Sequence, residues 1–89
     1  MGEGSVLKIL GSNLKFLRER EELTQRDICI VLEISPQTYS GWEKGRHAPS
    51  LDYLLLFSRF YSVSIDYLLN ERRLVVSVKR ISNKSKQVK

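Results

Sequence analysis

Cysteine and histidine are almost absent from this 89-residue sequence, which contains one of each, Cys29 and His47. A single cysteine cannot form an internal disulfide, and one Cys with one His is too few side chains for a structural zinc site. The sequence therefore excludes disulfide scaffolds and zinc fingers, and we expect no bound metal. No residue near His47 in sequence could act with it in catalysis, so we expect a surface loop residue.

Long apolar runs are also absent. No stretch of about 18 apolar residues could cross a membrane, and residues 1–5 lack the basic start and apolar continuation of a signal peptide. Paired carboxylates, a glycine-rich phosphate loop and a cluster of metal-ligating residues are missing from the sequence as well. We expect a cytoplasmic protein with no membrane association, no enzymatic activity and no cofactor.

Positive charge is present but unevenly placed. The formal net charge is +5, yet residues 70–89 carry a net charge of +6, which leaves −1 for residues 1–69. The bulk basicity therefore belongs to the end of the chain. Any binding of DNA by the remaining residues must depend on where individual side chains lie.

The hydrophobic pattern predicts five short helices, of which the first spans residues 6–22. Its inward positions recur at helical spacing at Leu10, Leu14 and Leu17. The second helix begins after Thr24, a typical N-cap residue with Asp27 three positions later as its capping-box partner, and it ends near Leu32.

A serine precedes each of the three remaining predicted helices. Ser35 is the N-cap of a third helix over residues 36–44, with Pro36 at its first position and Gly45 after its end. The fourth helix follows Ser50 and is apolar nearly all round, which is typical of a central helix. The fifth follows Ser64, and its predicted buried residues are Ile65, Leu68 and Leu69.

These elements predict an all-α fold, a compact five-helix domain over residues 6–70 followed by a short basic tail, residues 71–89. Within the tail, residues 74–81 are rich in β-branched side chains and favour an extended segment. Residues 82–89 are polar and basic, and we expect them to be disordered.

Residues 23–45, LTQRDICIVLEISPQTYSGWEKG, are the most informative about function. Two short helices joined by about three residues have the layout of a helix-turn-helix, with inward residues Ile28, Leu32, Ile34, Tyr39 and Trp42. The stretch closely resembles the phage repressor and Cro-type (XRE-like) helix-turn-helix family, whose members read LTQxxLAxxLGVSxxTIxxWExGxxxPS and continue with VSxDxLL. The resemblance covers about residues 8–70, with matches at Leu23, Thr24, Gln25, Leu32, Ser35, Thr38, Trp42, Glu43, Gly45, Pro49 and Ser50 and over residues 63–69.

This resemblance implies a repressor-like domain whose second motif helix enters the major groove of DNA. The implied base contacts are Gln37, Ser40, Pro36 and Gly41. Gln37 is the strongest candidate, because its amide can donate to N7 and accept from N6 of adenine. The implied phosphate contacts are Gln25, Thr24, Thr38, Lys44, Arg46 and His47. The alternative is that these side chains are ordinary solvated surface.

Other matched positions are structural. Arg18 and Glu43 occupy positions that form a buried ion pair in some members of the family, and Cys29 takes the place of a small alanine as a buried, inert thiol. The sequence departs from the family at two glycines, which are replaced by Glu33 and Ser62. If both keep a left-handed backbone, each costs about 1 kcal/mol.

Four positions that are usually polar in the family are apolar here, which indicates a partner surface: Phe16, Ile30, Val31 and Leu56. We expect a homodimer, formed by the fifth helix around Tyr67 and by pairing of residues 74–81 as strands. The alternative for residues 71–89 is a flexible basic arm that adds nonspecific attraction to DNA.

The function that we expect is that of a sequence-specific, homodimeric DNA-binding transcriptional regulator, with repression favoured over activation. Its partner would be double-stranded DNA. The alternative is an antitoxin or adaptor that uses the same fold mainly to hold a protein partner.

Overall fold

Five α-helices follow one another in the computed structural model, which describes residues 3–71. They are α1 (Glu3–Arg20), α2 (Gln25–Leu32), α3 (Pro36–Glu43), α4 (Leu51–Tyr61) and α5 (Ile65–Leu69). The predicted all-α fold is confirmed for these residues, which contain no strand. The main difference is in α1, which begins and ends earlier than predicted. The predicted extended segment 74–81 and the polar end of the chain lie outside the described residues.

The helix beginnings follow from side-chain caps. Thr24 accepts a hydrogen bond from the backbone amide of Asp27, whose carboxylate accepts one from the Thr24 amide at 2.8 Å, so the predicted capping box is present. Ser35, Ser50 and Ser64 each accept from the amide three positions later. Each such cap satisfies an amide without an intrahelical partner and contributes about 1 kcal/mol.

The ends of α1, α2, α3 and α4 share one conformation. The residue after each last turn has a positive φ: 60° at Glu22, 58° at Glu33, 72° at Gly45 and 56° at Ser62. The next amide then reaches back five residues to a carbonyl, at 2.9 Å for Ile34 onto Cys29. Glu33 and Ser62 therefore do keep a left-handed backbone, and only one of the four positions is a glycine.

The core lies between α1 and the other helices. α1 packs on α3 and α5, α2 packs on α3, and α4 packs on α5. The central aromatic group is Tyr39, Trp42 and Phe57, whose ring centroids lie 5.9–6.2 Å apart. Within the part of the chain that the structure describes, twelve side chains form the buried hydrophobic core: Leu10, Leu14, Leu17, Ile28, Cys29, Ile34, Tyr39, Trp42, Leu54, Phe57, Tyr61 and Leu68.

The sequence predicts α4, which is apolar nearly all round, as a central helix, but the structure buries only one of its sides. One side of α4 supplies Leu54, Phe57 and Tyr61 to the core, whereas Leu51 is 80% exposed. Leu55, Leu56 and Phe60 are also exposed. The reason is that the other described helices lie against only one side of α4.

Two residues of α1 allow its close packing. Gly11 lies against the end of α3, where a Cβ atom would come within 2.6 Å of the Trp42 carbonyl oxygen. Asn13 is buried, and its amide nitrogen lies 2.9 Å from the carbonyl oxygens of Leu68 and Asn70. These contacts fix α1 against α3 and against the end of α5. None of the helices in the described part of the chain is long and apolar enough to cross a membrane.

Candidate nucleic-acid interface

The helices α2 and α3 form a helix-turn-helix. Three residues, 33–35, join them, with the left-handed Glu33 turning the chain and the extended Ser35 starting α3. Ile28, Ile34 and Tyr39 are buried and hold the two helices against the core. The inward positions of the motif predicted from its apolar residues are therefore correct, apart from Leu32, which is only partly buried.

The outward side of α3 forms a shallow concavity of about 450 Å³. Seven of the ten residues predicted to contact DNA line it: Gln25, Pro36, Gln37, Ser40, Gly41, Lys44 and Arg46. Pro36, Gln37, Lys44 and Arg46 are exposed, and Ser40 is half-buried. The fold thus brings an amide, a hydroxyl and two cations to one side of a short helix.

Gly41 lines the concavity as a buried residue. It is buried at the floor of the concavity, where a Cβ atom would overlap the imidazole of His47. The loop after α3 folds back over Gly41, so its contact with a base stays a prediction. His47 is exposed in that loop, as predicted for a surface residue.

Thr24 and Thr38 do not line the concavity, and their hydroxyl groups already have partners. The Thr24 hydroxyl oxygen accepts from the Asp27 amide at 3.0 Å. The Thr38 hydroxyl oxygen accepts from the Ser35 hydroxyl at 2.7 Å. Thr24 is thus the N-cap of α2, and Thr38 holds the hydroxyl of Ser35, the N-cap of α3.

Beneath the concavity, the carboxylate of Glu43 accepts four hydrogen bonds. Arg18 donates from Nε at 2.7 Å and from Nη2 at 3.2 Å, so the two residues predicted to pair form a two-pronged ion pair. Tyr39 donates its hydroxyl at 2.5 Å, and Gln25 donates from Nε2 at 2.9 Å. The Glu43 side chain is 4% exposed. This group, Arg18, Gln25, Tyr39 and Glu43, is called the Glu43 network below.

The Glu43 network joins three helices, because Arg18 lies on α1, Gln25 on α2, and Tyr39 and Glu43 on α3. Burial alone would raise the pKa of Glu43, but the hydrogen bonds from Arg18, Tyr39 and Gln25 outweigh it and hold the pKa below its ordinary value. Burial and the bond to Glu43 raise the pKa of Tyr39. Glu43 is therefore a carboxylate at neutral pH, and the orientation of α3 depends on it.

The sequence can be compared with those of known proteins. The helix-turn-helix family model matches residues 14–68, which is more than half of the chain. The chain belongs to the helix-turn-helix family. The resemblance stated from the motif residues is thereby confirmed.

The relatives of this helix-turn-helix chain include both a transcriptional activator and a repressor. It is 41% identical over 61 residues to the repressor protein CI of Enterobacteria phage phi80, covering 68% of the chain and 25% of the repressor. It is 37% identical over 62 residues to the HTH-type transcriptional activator BcrR of Enterococcus faecalis, covering 70% of the chain and 30% of the activator. The HTH-type transcriptional regulator YqaE of Bacillus subtilis, itself uncharacterized, is 32% identical over 79 residues, 84% of the chain and 68% of YqaE. Alignments with the CI and BcrR proteins thus span about a quarter to a third of their lengths.

Sequence reasoning did not identify every residue that positions α3. The ammonium group of Lys8 donates to the Lys44 carbonyl oxygen at 3.2 Å and so caps the end of α3. The Tyr39 hydroxyl bond was also missed, although the spacing of Tyr39 and Glu43, one helical turn apart, could have indicated it. Lys8 carried no comparable signal, because it lies 36 residues from its acceptor.

Proposed function

We propose that this helix-turn-helix chain binds double-stranded DNA with α3 in the major groove and regulates transcription. The observation that carries the proposal is the concavity over α3, which gathers the exposed Gln37, Lys44 and Arg46 around a short helix. Such a helix fits the width of the major groove. The names of the relatives support a regulatory role.

Base recognition would come mainly from Gln37. It lies in the first turn of α3, is exposed, and has no side-chain hydrogen bond within the described residues. Its amide can therefore donate to N7 and accept from N6 of one adenine. Ser40, one turn later, can add a single hydrogen bond, and Pro36 can contact a thymine methyl group.

Phosphate contacts would surround this helix. Lys44, Arg46 and His47 follow the end of α3, where cations can reach the DNA backbone. Gln25 uses its amide nitrogen for Glu43 at 2.9 Å, and that nitrogen has a second hydrogen for a phosphate. A phosphate at Gln25 would thereby be connected through Glu43 to α3 itself. Thr24 and Thr38 would reach phosphates only while their hydroxyl oxygens also accept the bonds from the Asp27 amide and the Ser35 hydroxyl.

The chain would act as a homodimer. One short recognition helix reads only a few base pairs, whereas two helices about 34 Å apart address successive major grooves on one face of DNA. Repression requires only that the dimer occupy its operator, so we propose a repressor. The alternative, an antitoxin or adaptor, has no support among the relatives, whose names describe transcriptional regulators.

Selection of bound sequences from a random DNA pool, followed by fluorescence anisotropy, tests this function. A pseudo-palindromic site should emerge and bind far more tightly than random DNA. Arg46→Ala should weaken binding to both DNAs and make the salt dependence shallower by about one unit of slope. Lys15→Ala, which removes an exposed cation on α1, is the control and should leave the slope unchanged. Equal, weak binding to all sequences would contradict the proposal.

A further inference from the structure

Three exposed cations lie around the end of α3, and one of them belongs to α1. Lys44 and Arg46 follow α3 and line the concavity. Lys8 joins them from α1, because its ammonium group donates to the Lys44 carbonyl oxygen at 3.2 Å. None of the three forms an ion pair in the part of the chain that the structure describes. We call Lys8, Lys44 and Arg46 the cation cluster.

The position of Lys8 follows from the packing of α1 on α3. Gly45 has a φ of 72° and turns the chain after α3. A Cβ atom at Gly45 would lie 3.0 Å from the Cα atom of Lys8 and 2.9 Å from its Cδ atom. The stem of Lys8 therefore passes along Gly45, and its length brings the ammonium group to the last carbonyls of α3. Close approach of two backbone segments thus holds this lysine at the end of α3.

No carboxylate in the neighbouring sequence neutralises the cation cluster. Between Glu33 and Asp52 the only acidic residue is Glu43. Its side chain is 4% exposed, and its oxygen atoms already accept four hydrogen bonds on the inward side of α3. Within residues 6–71 the charge of the cluster therefore stays open to an anion from outside the chain.

The end of a helix by itself repels anions. Its last carbonyl groups give the C-terminus a partial charge of about −0.5 elementary charge. Lys8 donates to one of these carbonyls, and its ammonium group carries a full positive charge and two further hydrogens. With Lys44 and Arg46 beside it, the charge at the end of α3 is positive where the helix alone would make it negative. Lys8 thereby makes this end of α3 suitable for an anion.

We propose that Lys8, together with Lys44 and Arg46, binds a backbone phosphate of the DNA whose bases α3 contacts. Two members of the cluster line the concavity, so a duplex seated on α3 would bring its phosphates past this end of the helix. Lys8 would donate one hydrogen to the Lys44 carbonyl and another to the phosphate. The inference rests on the proposed function and adds to it a DNA contact from α1, outside the helix-turn-helix.

Different measurements separate the two roles that Lys8 would have. As a cap, Lys8 affects the position of α3 and hence the affinity for the selected site, but it changes no count of neutralised phosphates. As a phosphate ligand, it changes the number of cations that DNA releases on binding, whatever the base sequence. The slope of log affinity against log salt concentration is therefore a readout that a purely structural role would not move.

Fluorescence anisotropy of the full chain over a range of salt concentrations, on the selected site and on random DNA, tests the inference. Lys8→Met keeps an unbranched stem beside Gly45 and removes the charge. Its slope should be shallower by about one unit on both DNAs. Lys8→Arg should keep the slope of the unmodified chain. An unchanged slope for Lys8→Met would overturn the inference, even if the affinity for the selected site fell.

Matched variants exclude a general effect of charge or of unfolding. Lys15→Met makes the same change at an exposed lysine two turns later on α1, and it should leave the slope unchanged. The double variant Lys8→Met with Arg46→Ala should be shallower by about two units, since each removes one cation from the cluster. Circular dichroism of each variant verifies that the helices remain.

A second experiment locates the phosphate. Single phosphates of the selected site are replaced by neutral methylphosphonates, and one of these replacements should weaken binding of the unmodified chain severalfold. The same replacement should cost Lys8→Met less, because one charge that this phosphate meets is already gone. If every replacement weakened the unmodified chain and Lys8→Met equally, Lys8 would contact no phosphate.

Failure of this inference would differ from failure of the proposed function. Random DNA carries the same phosphates without the selected bases, so its slope tests Lys8 whether or not α3 reads bases. An unchanged slope for Lys8→Met beside a shallower one for Arg46→Ala would overturn the role of Lys8 and leave DNA binding by α3 intact. A shallower slope for Lys8→Met beside equal affinity for all sequences would retain the role of Lys8 and contradict sequence-specific regulation.

Discussion

The two sides of α3 differ in how completely their polar groups are partnered. On the inward side, Glu43 accepts four hydrogen bonds and Tyr39 donates one of them. On the outward side, Gln37, Ser40 and Lys44 have no side-chain hydrogen bond within residues 6–71. Partnered groups fix the position of the helix, and unpartnered ones remain available to a ligand. The contrast teaches that one side of α3 holds the helix in place while the other side is left open to a ligand.

The largest expected effect follows from breaking the inward side at its centre. Glu43→Gln removes the charge opposite Arg18, whose side chain is 9% exposed, and leaves that guanidinium without its carboxylate. The free energy of unfolding should fall by about 3–5 kcal/mol. Thermal and urea denaturation measure it. Glu19→Gln is the control, because Glu19 is exposed and its carboxylate lies 4.0 Å from the same guanidinium, too far for a hydrogen bond. If Glu43→Gln left the melting temperature unchanged, the ion pair would contribute nothing to stability.

The pH dependence of stability should come from the same carboxylate. Its pKa lies below its ordinary value in the folded chain, so its contribution is complete above about pH 4.5 and is lost as the pH falls through the folded pKa. The stability difference between the unmodified chain and Glu43→Gln should therefore shrink steadily with acidification. Urea titrations at pH 6, 5, 4 and 3 measure this, and a constant difference would exclude Glu43 as the group responsible.

The helix caps and the ion pair on the inward side of α3 could be predicted from the sequence, whereas most of the long-range contacts around them could not. Local sequence patterns predicted Thr24 and Ser35 as N-caps, and the family match predicted Glu43 as the partner of Arg18. Each of the three has that role in the structure. Asn13 could not be foreseen in its role, because its carbonyl acceptors are 54 to 57 residues away. The burial of Gly41 likewise depends on a loop that folds back over α3. Apolar composition alone did not reveal which side of α4 faces the core.

A smaller effect on stability is expected from removing a tyrosine hydroxyl, and it should depend on whether that hydroxyl has a hydrogen-bond partner. Tyr39 donates to Glu43, whereas the buried Tyr61 hydroxyl has no hydrogen-bond partner within the described residues. Burial also raises the pKa of Tyr61 to about 12. Tyr39→Phe should cost about 1–3 kcal/mol, since a hydrogen bond to a charged group is lost. Tyr61→Phe should be neutral or stabilising in the same denaturation experiment; equal costs would contradict the assigned partners.

The smallest effect concerns the turn that leads into α3. Glu33 holds a φ of 58°, which a side chain with a Cβ atom adopts at a cost. Glu33→Gly should therefore raise the free energy of unfolding by about 1 kcal/mol. Lys44→Gly, at the other end of α3 where φ is −82°, is the matched control and should give no gain. If Glu33→Gly instead lowered the free energy of unfolding, the Glu33 side chain would have a stabilising contact.

The outward side of α3 is tested most directly by the affinity of Gln37→Ala for the selected DNA site, for that site with single base changes, and for random DNA. Gln37 is exposed and outside the Glu43 network, so the variant should keep its stability. Anisotropy should show a loss of about 1–3 kcal/mol on the selected site, relaxed preference at one base pair, and little change on random DNA. An equal loss on selected and random DNA would contradict recognition of bases by this side of α3.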